Sequence, residues 1–209
     1  MRYNANGSAA LAASLRLSET RGGLRMSTKA THLLTAEEFA ALPLAGLRSE
    51  LIEGELHTMP PTFEDHGEIT MRLSVILGQH VLGQRLGKLY AAETGFLIAR
   101  SPDTVRAPDI AFIQQSRLPA ARSAPRWVPI IPDLVVEVVS SNDRPAEVGA
   151  KVAMWLAAGV RLVWVVSPQA RTIELHRPAI PFVMLSESDT LDGSDVIPGF
   201  SAPVADIFG

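Results

Sequence analysis

Apolar positions Ile69, Leu73, Ile76, Leu77 and Val81 recur at the three- and four-residue spacing of one helix face, and Gly83 or Gly87 can end the pattern. A helix of about five turns is expected there. Upstream, Thr35-Ala-Glu-Glu38 has the spacing of a capping box and predicts a short helix to about Leu42, stopped by Pro43. Residues 50–59, ELIEGELHTM, form two alternating runs around Glu53-Gly54, where a glycine permits the positive φ of a hairpin turn. From Lys88 short apolar runs bounded by turn formers read as strands: KLYAAE, GFLIA, then a turn at Ser101-Pro-Asp-Thr, then PDIAFI at 108–113. After a looser stretch, 115–132, comes the most apolar run of the chain, LVVEVVS at 134–140, whose β-branched composition fits a central strand buried on both faces. Asn142, Asp143 and Pro145 signal a helix start, and the stripe Val148, Val152, Trp155 and Leu156 runs to Gly159. RLVWVVS at 161–167 completes a strand–helix–strand unit, which predicts two parallel strands joined by a right-handed crossover. RTIELHR at 171–177, FVML at 182–185 and a segment near Val196 are expected as edge strands.

These elements give a mixed α/β fold in one domain over residues 28–209. Residues 1–27 are expected to be a flexible extension or a mis-called start, because Met26-Ser-Thr-Lys reads like a second translation start. The apolar pieces before Arg25 are too short for a signal-peptide core, and no run approaches the roughly 20 apolar residues of a spanning helix. A cytoplasmic protein is therefore expected. The chain of 209 residues has 47% hydrophobic residues, enough for a sizeable core, and carries 19 Lys+Arg against 22 Asp+Glu, a net charge of −3. It contains no cysteine, which excludes disulfides, thiolate metal sites and cysteine nucleophiles. A metal would have to rest on carboxylates or histidines, and a hard cation is the natural guest. The mildly acidic balance supplies no broad basic footprint for nucleic acid.

Glu137 is the most informative residue, because an ionised carboxylate inside LVVEVV costs several kcal/mol to bury unless a cation or hydrogen bonds compensate it. A solvent-facing Glu137, or one paired with a structural arginine, is the plainer alternative. Asp109 opens the PDIAFI strand; alone it would be an ordinary turn or cap residue, but with Glu137 on a neighbouring strand it could bind magnesium or manganese. Lys151 lies at the flank of the apolar stripe of the second long helix, where its stem can rest on the sheet while its amine reaches a carboxylate or snorkels into water. Glu50 opens the hairpin and His66 shares the helix face of Ile69 and Leu73; each has a purely structural alternative. Arg100, Arg106, Arg117, Arg122 and Arg126 lie between the strands, as a locally basic rim or as a solvated loop. There is no Gly-rich phosphate loop, nucleophile elbow or His-Glu-x-x-His helix.

The ordered motifs ELIEGEL at 50–56, His66, AAETGF at 91–96, DTVRAPDIAF at 103–112, PDLVVEVVSSNDRPAEVGAKVAMWLAAGVRLVWVVSP at 132–168 and IPGF at 197–200 resemble the Uma-two family of restriction-endonuclease-like proteins, over roughly residues 33–208. The resemblance implies a branch of the PD-(D/E)XK nuclease superfamily: a mixed central sheet flanked by helices, and a magnesium-dependent site that hydrolyses DNA. It implies Asp109 and Glu137 as metal ligands, Lys151 in the lysine role, Glu50 as a further site residue and His66 as an auxiliary one. The sequence departs from the superfamily pattern at Val139, where the lysine usually stands two residues after the acidic one. A homodimer through the apolar edge near Phe182 to Leu185 would suit concerted cleavage of duplex DNA. The alternative is an inactive nuclease-fold module that binds nucleic acid or protein. A carboxylate-pair hydrolase of sugars would leave Lys151 without a role.

Overall fold

The computed structural model describes residues 18–20, 23–25, 32–44, 47–120 and 127–209. Of the expected N-terminal extension, only β1 (Ser18–Thr20) and β2 (Gly23–Arg25) are among them, paired antiparallel. The chain then forms α1 (Ala36–Ala41), the hairpin β3 (Arg48–Ile52) and β4 (Glu55–Met59), and α2 (Glu64–Gly83). Strands β5 (Gly87–Ala91), β6 (Phe96–Ala99), β7 (Thr104–Arg106), β8 (Ile110–Gln114) and β9 (Leu134–Val138) follow. Next come α3 (Pro145–Ala158), β10 (Leu162–Ser167), β11 (Thr172–Arg177), β12 (Ile180–Leu185), β13 (Thr190–Asp192), β14 (Ser201–Pro203) and α4 (Val204–Phe208). They fall into two compact units, one of residues 1–61 and 97–106 and a larger one of residues 62–96 and 107–209.

In the smaller unit a four-stranded sheet is ordered β4-β3-β7-β6. The β3–β4 hairpin turns at Glu53 (φ 50°) and Gly54 (φ 80°), the paired positive φ values of a two-residue turn that suits twisted strands. Thr35 and Glu38 close the expected capping box: the Glu38 N–H donates to the Thr35 hydroxyl, and the Thr35 N–H donates to the Glu38 carboxylate at 2.8 Å. Asp103 adds a second cap from a distant loop, accepting the first helical N–H, that of Ala36, at 2.7 Å. Arg100 joins Asp103 to Glu37 of the same helix, and its hydrogen bonds hold the Glu37 carboxyl down at about 2.

In the larger unit a six-stranded sheet is ordered β12-β11-β10-β9-β8-β5. β9 and β10 run parallel, joined by α3, while the other neighbours are antiparallel, so the expected strand–helix–strand unit sits at the centre of a mixed sheet. One face of the sheet, with Ile110, Phe112, Leu134, Val136 and Val138, packs with Ile69, Leu73, Leu77 and Val81 of α2 in a single core. Alternation along β9 sends Val135 and Glu137 to the opposite face. All five β9 residues are buried, as a strand covered on both sides should be. α3 ends at Gly159, whose φ of 103° provides the left-handed cap that side chains rarely adopt.

Two expectations are corrected, and two short elements add to them. The segment near Val196 is not a strand: the Val196 and Ile197 N–H groups both donate to the Gly193 carbonyl in a tight turn between β13 and β14. Its apolar residues are buried in the core, which is why they read as strand. β7 and α4, at three and five residues, were not expected, being too short for any periodicity to register. The strand read as 134–140 ends at Val138. Edge strand β12 exposes Ile180, Phe182, Val183 and Met184, the apolar edge noted in the sequence. No helix among the described residues is long and apolar enough to cross a membrane.

β5 meets β8 so closely at Gly87 that an added Cβ would stand 2.0 Å from the Ile113 carbonyl oxygen. Since backbone cannot yield as a flexible side chain can, Gly87→Ala is expected to cost about 3 kcal/mol, read by urea denaturation. An unchanged midpoint would contradict this close approach.

Candidate functional site

The larger unit gathers four of the five candidate residues around the ends of β8 and β9. Ile110 pairs with Val136 at the end of the β8–β9 ladder, and Asp109 and Glu137 are the residues adjoining that last pair. Asp109 is 2% exposed and Glu137 8%, placing two buried carboxylates on adjacent strands. At Asp109 the backbone ladder stops, and its carboxylate takes the Val138 N–H at 2.9 Å. His66, also buried, approaches from the first turn of α2 with its Nε2 at 3.2 Å from Asp109 Oδ2. Its place on the helix face of Ile69 and Leu73 carries it to a carboxylate rather than into an apolar pocket.

Glu137 is held from the other face of the sheet. The buried indole N–H of Trp155 donates to Glu137 Oε1 at 2.7 Å, and Lys151 Nζ stands 3.7 Å from Glu137 Oε2. Four residues apart, Lys151 and Trp155 share one face of α3, so a single helix brings both donors to one carboxylate. Lys151 is about one-third exposed, with its amine near the carboxylate. Val139, at the usual lysine position, donates its N–H to the Val166 carbonyl and ties the end of β9 to β10.

Glu50 lies in the smaller unit, buried on β3, with the Arg106 guanidinium 3.0 Å from its Oε2. Arg106 is 6% exposed, which corrects its reading as part of a basic rim or solvated loop. Arg100 and Arg117 are likewise engaged, with Glu37 and Asp103 and with Asp133 respectively; Arg122 and Arg126 lie outside the described residues. Two partners carry no clear signal in the sequence. Trp155 belongs there to a core stripe, with only its spacing from Lys151 as a pointer. Asp133 is fully buried and accepts the Gln114 N–H while facing Arg117.

The donor chemistry suits a small hard cation. Among the described residues no group of three or more His, Asp or Glu side chains is gathered to hold a metal ion. The unit offers two carboxylates, Asp109 and Glu137. Magnesium usually binds through one or two carboxylates, with water and phosphate oxygens filling its octahedron, so this set fits it better than an ion that needs a full protein cage.

A family profile, Uma2, described as "Putative restriction endonuclease", matches residues 36–205. The chain belongs to the Uma2 family. A solved structure described as a "putative nuclease belonging to DUF820" from Anabaena variabilis ATCC 29413 matches with a TM-score of 0.73 at 22% identity, covering 84% of this chain and 97% of that one. That likeness shows the fold, a mixed sheet with flanking helices. No curated protein matches the chain. The Uma2 match spans every candidate residue from Glu50 to Lys151, and the family's restriction-endonuclease-like description agrees with the resemblance drawn from the motifs.

Proposed function

We propose that the protein is a magnesium-dependent endonuclease that hydrolyses phosphodiester bonds of DNA, with Asp109 and Glu137 as metal ligands and Lys151 as the third catalytic residue. The observation that carries this reading is the presence of two buried carboxylates, one just before β8 and one on the neighbouring β9, with a lysine amine 3.7 Å from the second. Buried carboxylates are costly in a low-dielectric setting, and a divalent cation held by Asp109 and Glu137 would relieve that cost. Bound there, the ion supplies Lewis acidity toward a phosphodiester oxygen and the attacking water.

The chain's own residues do the rest. Asp109 keeps its carboxylate oriented through the Val138 N–H and His66, and would hold a cation without reorganising. The Lys151 ammonium, 3.7 Å from Glu137 Oε2, would orient the attacking water or offset negative charge that grows on the phosphate as the P–O bond to the leaving oxygen breaks. A lysine on α3 can fill this role in place of one at position 139, because what matters is where the amine arrives rather than which element carries it. The Glu50 carboxylate is paired with Arg106 within the smaller unit. With a net charge of −3, affinity for DNA without divalent ions is expected to be weak.

Supercoiled plasmid incubated with the protein is expected to be nicked or linearised in magnesium or manganese and to survive in EDTA. Lys151→Ala is expected to slow cleavage by about 10²-fold or more while leaving manganese binding measurable, since the residue acts on water and charge rather than as a ligand. Cleavage unaffected by Lys151→Ala would remove it from the site. Val139 favours a second reading, a module that keeps the fold and binds without turnover. Tight DNA binding in EDTA with no cleavage in either metal would decide for it.

A further inference from the structure

We infer that Trp155 is a positioning residue for Glu137, fixing which carboxylate oxygen is presented to a divalent cation; this rests on Glu137 as a ligand, as proposed above. Trp155 is fully buried on α3, and its indole N–H donates to Glu137 Oε1 at 2.7 Å. An indole N–H can only donate, so it holds one carboxylate oxygen without competing for the cation's place. The other oxygen, Oε2, is left on the side of Lys151. With one oxygen tied, rotation of the carboxylate is restricted, which would hold Glu137 in one orientation toward an ion.

Trp164, equally buried on β10, has no hydrogen-bond partner for its indole nitrogen among the described residues. At Trp155 the N–H is instead aimed at the one carboxylate of the central strand. Glu137 stands on β9 and Trp155 on the helix that crosses from β9 to β10, so the bond also ties the position of α3 to that of the ligand. Partners that orient a metal-ligating side chain typically contribute about 10- to 100-fold in metal affinity.

The test uses the full chain and manganese alone, titrated calorimetrically into wild type, Trp155→Phe and Glu137→Ala. Trp155→Phe loses packing and some thermal stability under any hypothesis, so stability decides nothing. The expected result is that its manganese affinity falls about 10- to 100-fold and that Glu137→Ala loses binding. Loss in Glu137→Ala with wild-type affinity in Trp155→Phe would overturn the role of Trp155 while leaving the ligand reading intact. Wild-type affinity in Glu137→Ala would overturn both. Should Trp155→Phe fail to fold, the wild-type chain still answers through the indole N–H resonance of Trp155 in magnesium titrations. That resonance is expected to shift and saturate in step with binding, and a stationary resonance at saturating magnesium would overturn the inference.

Discussion

Asp109→Asn is expected to lower the magnesium-supported rate of DNA cleavage on the order of 10³-fold with little change in stability, because it removes charge from the cation site while preserving an acceptor for the Val138 N–H. The asparagine is nearly isosteric, so β8 and β9 keep their register. Asp109→Ala should be equally inactive but less stable, by about 1–3 kcal/mol, since the Val138 N–H and His66 then lose a buried partner. Comparing the two separates chemistry from folding. Cleavage by Asp109→Asn at a rate within a few-fold of wild type, with the same metal requirement, would remove Asp109 from the reaction.

A second large effect is expected in the smaller unit and on stability. Glu50 and Arg106 are both buried, with 3.0 Å between Glu50 Oε2 and the guanidinium. Arg106→Met deprives a buried carboxylate of its ion-pair partner and is expected to cost about 3–5 kcal/mol in urea denaturation. Adding Glu50→Met is expected to restore most of that loss, because the penalty lies in the unpaired charge rather than in the absence of the pair. A double variant no more stable than Arg106→Met would show that the unpaired charge is not the source of the cost.

Much of this was legible in the sequence because local chemistry and tertiary context agreed. The capping box at Thr35, the glycine turn at Gly54, the helical stripe from Ile69 to Val81 and the strand–helix–strand unit from Leu134 to Ser167 each have a local cause, and the structure contains each. Short elements fared worse. β7 has three residues, and the buried turn at Val196 is apolar because it faces the core, a cause that period and composition do not carry.

The same division runs through the site. Glu137 announced itself as a charge inside an apolar run, and its burial with the Lys151 amine nearby agrees with that signal. Lys151 has two open readings in the sequence, an amine at a carboxylate or one snorkelling into water, and only the fold brings it to Glu137. Arg106 looked like one of several loop arginines, whereas its burial depends on a neighbouring strand, β3, more than fifty positions earlier in the chain. Trp155 was hidden for a different reason: its ring belongs to the core stripe, and only the direction of its N–H distinguishes it from packing.

The central claim is that Asp109 and Glu137 share one divalent cation, and a crystal of the protein soaked in manganese tests it most directly. Anomalous density is expected between β8 and β9, with one oxygen of each carboxylate roughly 2 Å from the ion and water on its remaining positions. A saturating soak that leaves that position without manganese, or that places the ion beyond coordination distance of either Asp109 or Glu137, would contradict it.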